Sequence, residues 1–391
     1  KGQPTVVLDG RPEHEYFKMS IPSARSCPNA ELAYRISALS FDSETAIVIN
    51  CAGRTRSIIG AETLRQCGVS NPIFALCDGT QGWVLSGFNL NYGTHPDSLP
   101  SVDSKARAQA AKTADNLIKR LSLSKISSKL LEVWKKDPER TTYIFDVRTE
   151  DEFSVGHRPD ARHAPGGQLV QATDQYLAVR NARIVLCDDT GLRAATTAMW
   201  LQGMGHDVTI LEEDMSELVS PRINHIDSSM VVDVPLVSPK DAFAKVVKGA
   251  LLVDASRSQD YRSGHARGSV WITRSRATDL NYRFDDAIII TGQEQSLIFG
   301  VVCEFLELGY KNLSWFEGSL KIWSQAGFEI EQTPNCPPDQ ECIDFLFFVH
   351  DRHDGNLDAA RRYLEWETGL LAQLDDQERG ILTPPQPNST M

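Results

Sequence analysis

Apolar residues along this chain gather into short β-branched runs separated by stretches of helical period, and the same succession occurs three times. Each copy opens on a strand that ends in aspartate: Val6-Val7-Leu8-Asp9, Tyr143-Ile144-Phe145-Asp146 and Leu251-Leu252-Val253-Asp254. An acidic–aromatic step follows, as Glu15-Tyr16, Glu152-Phe153 and Asp260-Tyr261. Next come Ser20-Ile21-Pro22, Gly156-His157-Arg158-Pro159 and Gly264-His265-Ala266-Arg267-Gly268. A second apolar strand then appears as Ile47-Val48-Ile49, Ile184-Val185-Leu186 and Ile288-Ile289-Ile290, followed by helices that end near Gly68, Gly205 and Gly309. Last strands at 73–76, 208–211 and 313–316 close each copy. Unbroken apolar strands alternating with helices predict parallel sheets covered on both faces. The period of more than about one hundred residues indicates tandem domains and excludes a solenoid.

Outside the repeats, the pattern predicts a helix over 126–134, with Ile126, Leu130, Leu131 and Trp134 on one face, and another over 239–247. The first copy has almost nothing ahead of Val6, so its leading helix is expected to lie upstream, in a longer protein with a further copy. Residues 1–98, 122–224 and 225–334 are the expected domains. Residues 99–121 form a helical connector, helical from Ser104 to Ile118, and Pro, Asn, Asp and Ser between Ser220 and Pro235 mark the next boundary. The tail, 335–391, carries an amphipathic helix from about Leu357 to Leu374, read as packing back on the domains, with homodimerisation as its alternative role.

Composition adds limits. A chain of 391 residues, 41% hydrophobic and 24% charged, is an ordinary globular protein of several domains. A net charge of −12 argues against nucleic-acid or anionic-membrane binding, so any bound anion must be held by a local pocket. Eight cysteines without close regular spacing do not form a disulfide framework, which points to a reducing, cytoplasmic setting.

The chemistry concentrates where the second strand of the first copy ends, in Cys51-Ala52-Gly53-Arg54-Thr55-Arg56-Ser57. A loop running from a parallel strand into a helix N-terminus gathers backbone N–H groups around one point, and the helix dipole adds positive potential. A strand-end cysteine alone is equally a small buried residue. With one glycine and two arginines in the same loop, it reads as a thiol of lowered pKa able to attack a bound anion.

These residues resemble the active-site loop of rhodanese-type sulfurtransferases. The strand and Asp9-Gly10-Arg11, the pair Glu15-Tyr16, and the later Gly82-Trp83 and Gly87-Phe88 resemble the family's flanking signatures. Met19-Ser20-Ile21-Pro22-Ser23-Ala24 departs from the family's Gly-His-x-Pro-Gly-Ala. The resemblance implies an α/β chain of three tandem rhodanese-like domains, each a parallel sheet flanked by helices, with a helical tail, as part of a four-domain bacterial type. It implies Cys51 as the nucleophile, residues Ala52 to Ser57 as the binding loop, and Arg54 and Arg56 as electrostatic clamps. A thiosulfate-like anion would be the donor, and cyanide or a thiol, including a protein thiol, the acceptor. No metal or organic cofactor is implied.

Lining up the strand ends places Cys187 and Thr291 opposite Cys51. Asp188 and Asp189 would repel an anion beside Cys187, and Thr291 has no activating neighbour, so both copies read as inactive. Related phosphatases and arsenate reductases place an arginine six positions after the cysteine. Arg56 lies five after Cys51, which argues for the sulfurtransferase loop; Arg193 lies six after Cys187, a spacing read as coincidence. Cys336 and Cys342 have no second ligand pair, His350 and His353 read as solvated, and Cys67 and Cys77 read as packing residues or, alternatively, resolving thiols. The competing functional readings are a non-catalytic scaffold for a protein partner and a persulfide relay.

Overall fold

The computed structural model describes residues 2–212, 234–280, 282–345 and 355–385. Most of the boundary expected at 220–235, and both His350 and His353, lie outside the described residues. The chain forms two compact units, one of Lys1–Arg222 with Phe348–Met391 and one of Ile223–Phe347.

In the first unit, the leading domain runs β1 (Thr5–Asp9), α1 (Glu13–Lys18), β2 (Arg25–Ser26), α2 (Asn29–Leu39), β3 (Ala46–Asn50), α3 (Thr55–Gln66), β4 (Ile73–Ala75) and α4 (Gly79–Leu85). Its strands form a parallel sheet in the order β2-β1-β3-β4. After α5 (Ser104–Leu121), the second domain runs β5 (Ser124–Ser127), α6 (Ser128–Trp134), β6 (Thr142–Asp146), α7 (Glu150–Val155), β7 (Arg162–His163), α8 (Gly166–Gln171), α9 (Thr173–Tyr176), β8 (Arg183–Cys187), α10 (Leu192–Gly203) and β9 (Asp207–Glu212). Its parallel sheet has the order β5-β9-β8-β6-β7. The helix expected over 126–134 is divided. Ser124 to Ser127 pair with β9, and the Ser127 side chain caps α6 from Leu130 N, so Ile126 belongs to an edge strand.

The stretch expected to be a connector is a core element. Asp103 caps α5, and its Ala110, Ala114, Leu117 and Ile118 are buried against α2 and α10. These residues share one apolar cluster with Leu8, Ile47 and Leu64 of the first domain and Phe145, Leu186 and Ala198 of the second. The two domains are therefore fused through one core. A buried ion network crosses the same seam. Arg193, with no solvent exposure, meets Asp188 at 2.9 Å, Asp189 at 2.8 Å, Glu152 at 2.6 Å and Glu31 of the first domain at 3.1 Å, and lies over the Tyr34 ring. The tail helix Leu357–Gln373 packs on α4 by its buried Ala359, Ala360 and Tyr363 face, and Thr383 donates its N–H to Gly203 O at the end of α10.

The second unit holds α11 (Pro239–Val247), β10 (Leu251–Asp254), α12 (Ser258–Ser263), β11 (His265–Ala266), β12 (Val270–Trp271), β13 (Ile288–Gly292), α13 (Gln295–Glu307), β14 (Leu313–Glu317), α14 (Leu320–Ala326) and β15 (Ile330–Glu331). Its parallel sheet has the order β12-β10-β13-β14, with β11 and β15 as a separate antiparallel pair. Among the described residues, no helix is long and apolar enough to cross a membrane.

One clasp recurs where the first strand of each sheet ends. Arg11 grips both oxygens of Asp9 and the Met19 carbonyl; Arg148 grips Asp146 and the Gly156 carbonyl in the same way. In the second unit Ser256 replaces the arginine. Its N–H reaches Asp254 Oδ1, while Asp254 Oδ2 is buried with no hydrogen-bond partner among the described residues. Burial pushes the Asp254 carboxyl up to about 6.

Two stability outcomes follow. Arg193→Ala strands four carboxylates at the seam and should cost the first unit about 3–5 kcal/mol, read as a lower urea midpoint. For Asp254 the folded-state pKa lies above the unfolded value of about 3.9, so its contribution is full below that value and is lost as pH rises through about 6. Asp254→Asn should remove that loss, stabilising the second unit by about 2–3 kcal/mol at pH 8 and by little at pH 4. Equal gains at both pH values would contradict this origin.

Candidate active site around Cys51

The ladder between the two middle strands fixes which residues of the repeats correspond. Asp9 pairs with Asn50, Asp146 with Cys187 and Asp254 with Thr291. The next N–H in each case, from Gly10, Val147 or Ala255, donates to the carbonyl of Asn50, Cys187 or Thr291. Cys187 and Thr291 therefore correspond to Asn50, not to Cys51 as their position at the strand ends suggested. The residues that stand where Cys51 stands are Asp188 and Gly292. The two aspartates of the second loop thus replace Cys51 and Ala52. Arg193 lies five positions after Asp188, as Arg56 does after Cys51, and each is the second residue of its helix. The six-residue spacing from Cys187 is a consequence of this register and not a coincidence. Neither other copy has a thiol at the decisive position, so their reading as inactive rests on Asp188 and Gly292.

The Cys51 loop is anchored through its carbonyls. Thr80 N donates to Cys51 O at 2.9 Å and Gln81 N to Ala52 O at 3.0 Å, from the start of α4. Gly79, at φ +55°, allows this approach: a Cβ there would lie 2.2 Å from Cys51 O. The Asp78-Gly79-Thr80-Gln81-Gly82-Trp83 signature is thus the floor of the loop. On the other side, the first turn of α3 offers N–H groups without intrahelical partners. The Ser57 hydroxyl and N–H face the Cys51 sulfur and favour its thiolate. Among the described residues, Ser57 Oγ has no oxygen or nitrogen partner although it is fully buried. In the second domain the same cradle is filled: Asp188 Oδ2 accepts from Arg193 N at 2.9 Å and from Ala194 N, the counterparts of Arg56 N and Ser57 N. The second domain therefore sets a carboxylate at this point, although burial pushes Asp188 up to about 6.

The outer donors of the Cys51 loop are occupied by a residue absent from the sequence-based site. The Glu367 carboxylate, from the tail helix, accepts from Arg54 N at 3.0 Å, Thr55 N at 2.9 Å and Thr55 Oγ1 at 2.8 Å. A Cβ on Gly53 would lie 1.9 Å from Glu367 Oε2 and 2.9 Å from the Tyr363 ring. Arg54 is exposed. Arg56 is buried and held by both oxygens of Glu15, at 2.6 and 2.8 Å, with Gln171 of the second domain at 3.2 Å. Its carbonyl accepts from Asn29 Nδ2. Glu152 likewise reaches Arg193, through one oxygen at 2.6 Å, so in the first two copies the acidic residue before the aromatic one holds the arginine of the helix start.

These contacts overturn the expectation of a lowered thiol pKa. Burial pushes the Cys51 thiol up, and Arg56 and Ser57 offset this only in part; Glu367 adds to the rise. The other thiols differ. Cys187 packs in an apolar cluster with Ile144, Val185 and Leu211. Cys67 is pushed up to about 12 by burial. Cys77 is exposed, against its reading as a buried packing residue, and Asp78 raises its pKa. Cys336 is exposed and Cys342 buried.

The rhodanese-like domain family model matches residues 1–86 and 129–220. The chain is similar to the solved thiosulfate sulfurtransferase of Pseudomonas aeruginosa at 33% identity and a TM-score of 0.78, over 97% of this chain and 72% of that one. Shorter similarities include the Anabaena protein Alr3790, at 17% identity over 24% of this chain and 90% of that one with a TM-score of 0.22. Another is BH2092 of Bacillus halodurans, at 19% identity over 27% and 77% with a TM-score of 0.22. No curated protein matches the chain.

The electrostatics can be read by alkylation. The rate of Cys51 modification by iodoacetamide should rise with pH to a midpoint above that of an ordinary thiol, about 8.5. Arg56→Ala should move the midpoint up by about one unit, and Glu15→Gln, which releases the Arg56 charge, should move it down. Peptide mapping by mass spectrometry checks both, and an unmoved midpoint in Arg56→Ala would remove Arg56 from the site's electrostatics.

Proposed function

The chain belongs to the rhodanese family of sulfurtransferases, and on that premise we propose that its first domain transfers sulfane sulfur from thiosulfate, or a related anionic donor, through a Cys51 persulfide. The observation that carries this reading is the register: among the described copies, only the first has a thiol where the second holds a buried carboxylate on helix-start amides.

The reaction is a two-step exchange. The Cys51 thiolate attacks the outer sulfur of thiosulfate, a new sulfur–sulfur bond forms, and the donor's own sulfur–sulfur bond breaks to release sulfite with its electron pair. The anionic end of the donor would lie on the N–H groups of Arg54 and Thr55, with Gly53 leaving room for it and the exposed Arg54 side chain attracting it. The Arg56 guanidinium, fixed by Glu15, would act as a field beside the sulfur and not as a direct ligand. The persulfide anion left on Cys51 would face Ser57 and the first turn of α3. Attack by cyanide or a thiolate, including one on a protein, on the outer sulfur then gives thiocyanate or a new persulfide and restores the thiolate. Before a donor arrives, the raised pKa keeps most of Cys51 as the thiol, which is less open to adventitious oxidation, and the first step draws on its thiolate fraction. The free thiols fit work in a reducing, cytoplasmic compartment.

Neither the second domain nor the second unit carries a nucleophile in register. We assign the second domain a supporting role, since its Gln171 touches Arg56 and its Arg193 holds Glu31.

A brief thiosulfate pulse followed by intact-protein mass measurement tests the reading. Wild type should gain one sulfur, about 32 Da, and lose it on adding cyanide. Cys51→Ser should show no gain, while Cys187→Ser should behave as wild type. A gain that survives in Cys51→Ser would overturn the assignment.

A further inference from the structure

Glu367 lies on the tail helix Leu357–Gln373, more than three hundred residues from the loop it touches. Its carboxylate meets three donors, Arg54 N, Thr55 N and the Thr55 hydroxyl, and among the described residues it forms no ion pair with a lysine or arginine. An arrangement of donors without a cation or an acceptor is an anion site, and an ionised carboxylate, which only accepts, is its natural occupant. The same N–H groups are those that the anionic end of the sulfur donor requires in the reaction described above. Gly53 provides the space for either group, because any side chain there would collide with the carboxylate. Two anions cannot occupy this point together.

Resting on the sulfurtransferase reading of the loop, we propose that Glu367 is an intramolecular competitor of the anionic donor: it determines donor affinity and keeps the Cys51 site closed to weakly binding anions. The second domain also sets a carboxylate on the start of this helix, though on the inner amides, the counterparts of Arg56 N and Ser57 N. Asp188 belongs to its own loop and is locked there by Arg193, at 2.9 Å. Glu367 comes from a separate helix and is only half-buried, so its withdrawal breaks no bond within the loop itself. The competent state is the one with Glu367 displaced, and the apparent donor affinity falls by the fraction of molecules in that state. Anions that bind the outer amides more strongly than a carboxylate are selected; neutral molecules do not displace it.

The experiment uses the full chain with Glu367→Gln, Glu367→Ala and, as a control on the same helix, Glu365→Gln, an exposed residue away from the loop. Two quantities are read: KM and kcat for thiosulfate, and the ratio of Cys51 alkylation rates by iodoacetate, an anion, and iodoacetamide, its neutral analogue. The expected result is a stepwise fall in KM from wild type through Gln to Ala, about tenfold in all, with kcat nearly unchanged. The iodoacetate-to-iodoacetamide ratio should rise in the same order, and Glu365→Gln should leave both at wild-type values. An unchanged or raised KM, a flat alkylation ratio, or an equal effect of Glu365→Gln would overturn the proposal. If no variant transfers sulfur, the sulfurtransferase reading fails by itself, and the alkylation ratio decides on Glu367 alone: a rise supports the competitor, a flat ratio removes it.

Discussion

The constraint on which this molecule turns is the helix start that follows the middle strand of each parallel sheet. N–H groups there have no intrahelical partner, and leaving them buried and unpaired costs more than almost any local rearrangement. Each copy meets the demand differently. The second domain places Asp188 on Arg193 N and Ala194 N. In the third, Gln293 N donates to Ser256 Oγ in the loop ahead of α13, and at the neighbouring helix α12 Ser258 N donates to Asp344 Oδ2. The first leaves a thiol and a serine hydroxyl at the inner donors and takes a carboxylate from the tail at the outer ones. A site for anion chemistry is thus a helix start that was not permanently satisfied.

Charge around that point is distributed in a way that resists a simple count of arginines. Arg56 is balanced by Glu15, and Arg193 by four carboxylates, so neither cation acts at full strength on a ligand. The net positive character of the Cys51 loop comes from oriented amides and from Arg54. Burial disfavours the thiolate in the resting site. In the proposed cycle, reactivity belongs to the state in which an anion is drawn in and the carboxylate is withdrawn.

The supporting structure is continuous with the site. The first and second domains share a core through α5, and Trp200 of α10 donates to Thr63 on α3, the helix whose N-terminus forms the cradle. Gln171 reaches Arg56 across the same seam. The second domain, without a thiol in register, therefore packs against the helix that follows Cys51 and against its arginine.

The repeated strands, the acidic–aromatic step and the Cys51 loop were legible in the sequence because each depends on local pattern: β-branched runs, helical spacing and glycine at a turn. That part included the loop from Cys51 to Ser57 on which the proposed chemistry rests. Other features were decided only by the tertiary structure. Ile126 reads as helical by spacing but completes an edge strand, because β9 offers it a ladder of hydrogen bonds. The ends of apolar runs align Cys187 with Cys51, whereas pairing to Asp146 shifts the register by one and gives that place to Asp188. The raised thiol pKa follows chiefly from burial, which no loop motif contains. Glu367 is the extreme case, since a carboxylate more than three hundred residues away has no local signature of the amides it will meet. Local sequence determines which donors a loop exposes; only the packed chain determines which acceptor reaches them.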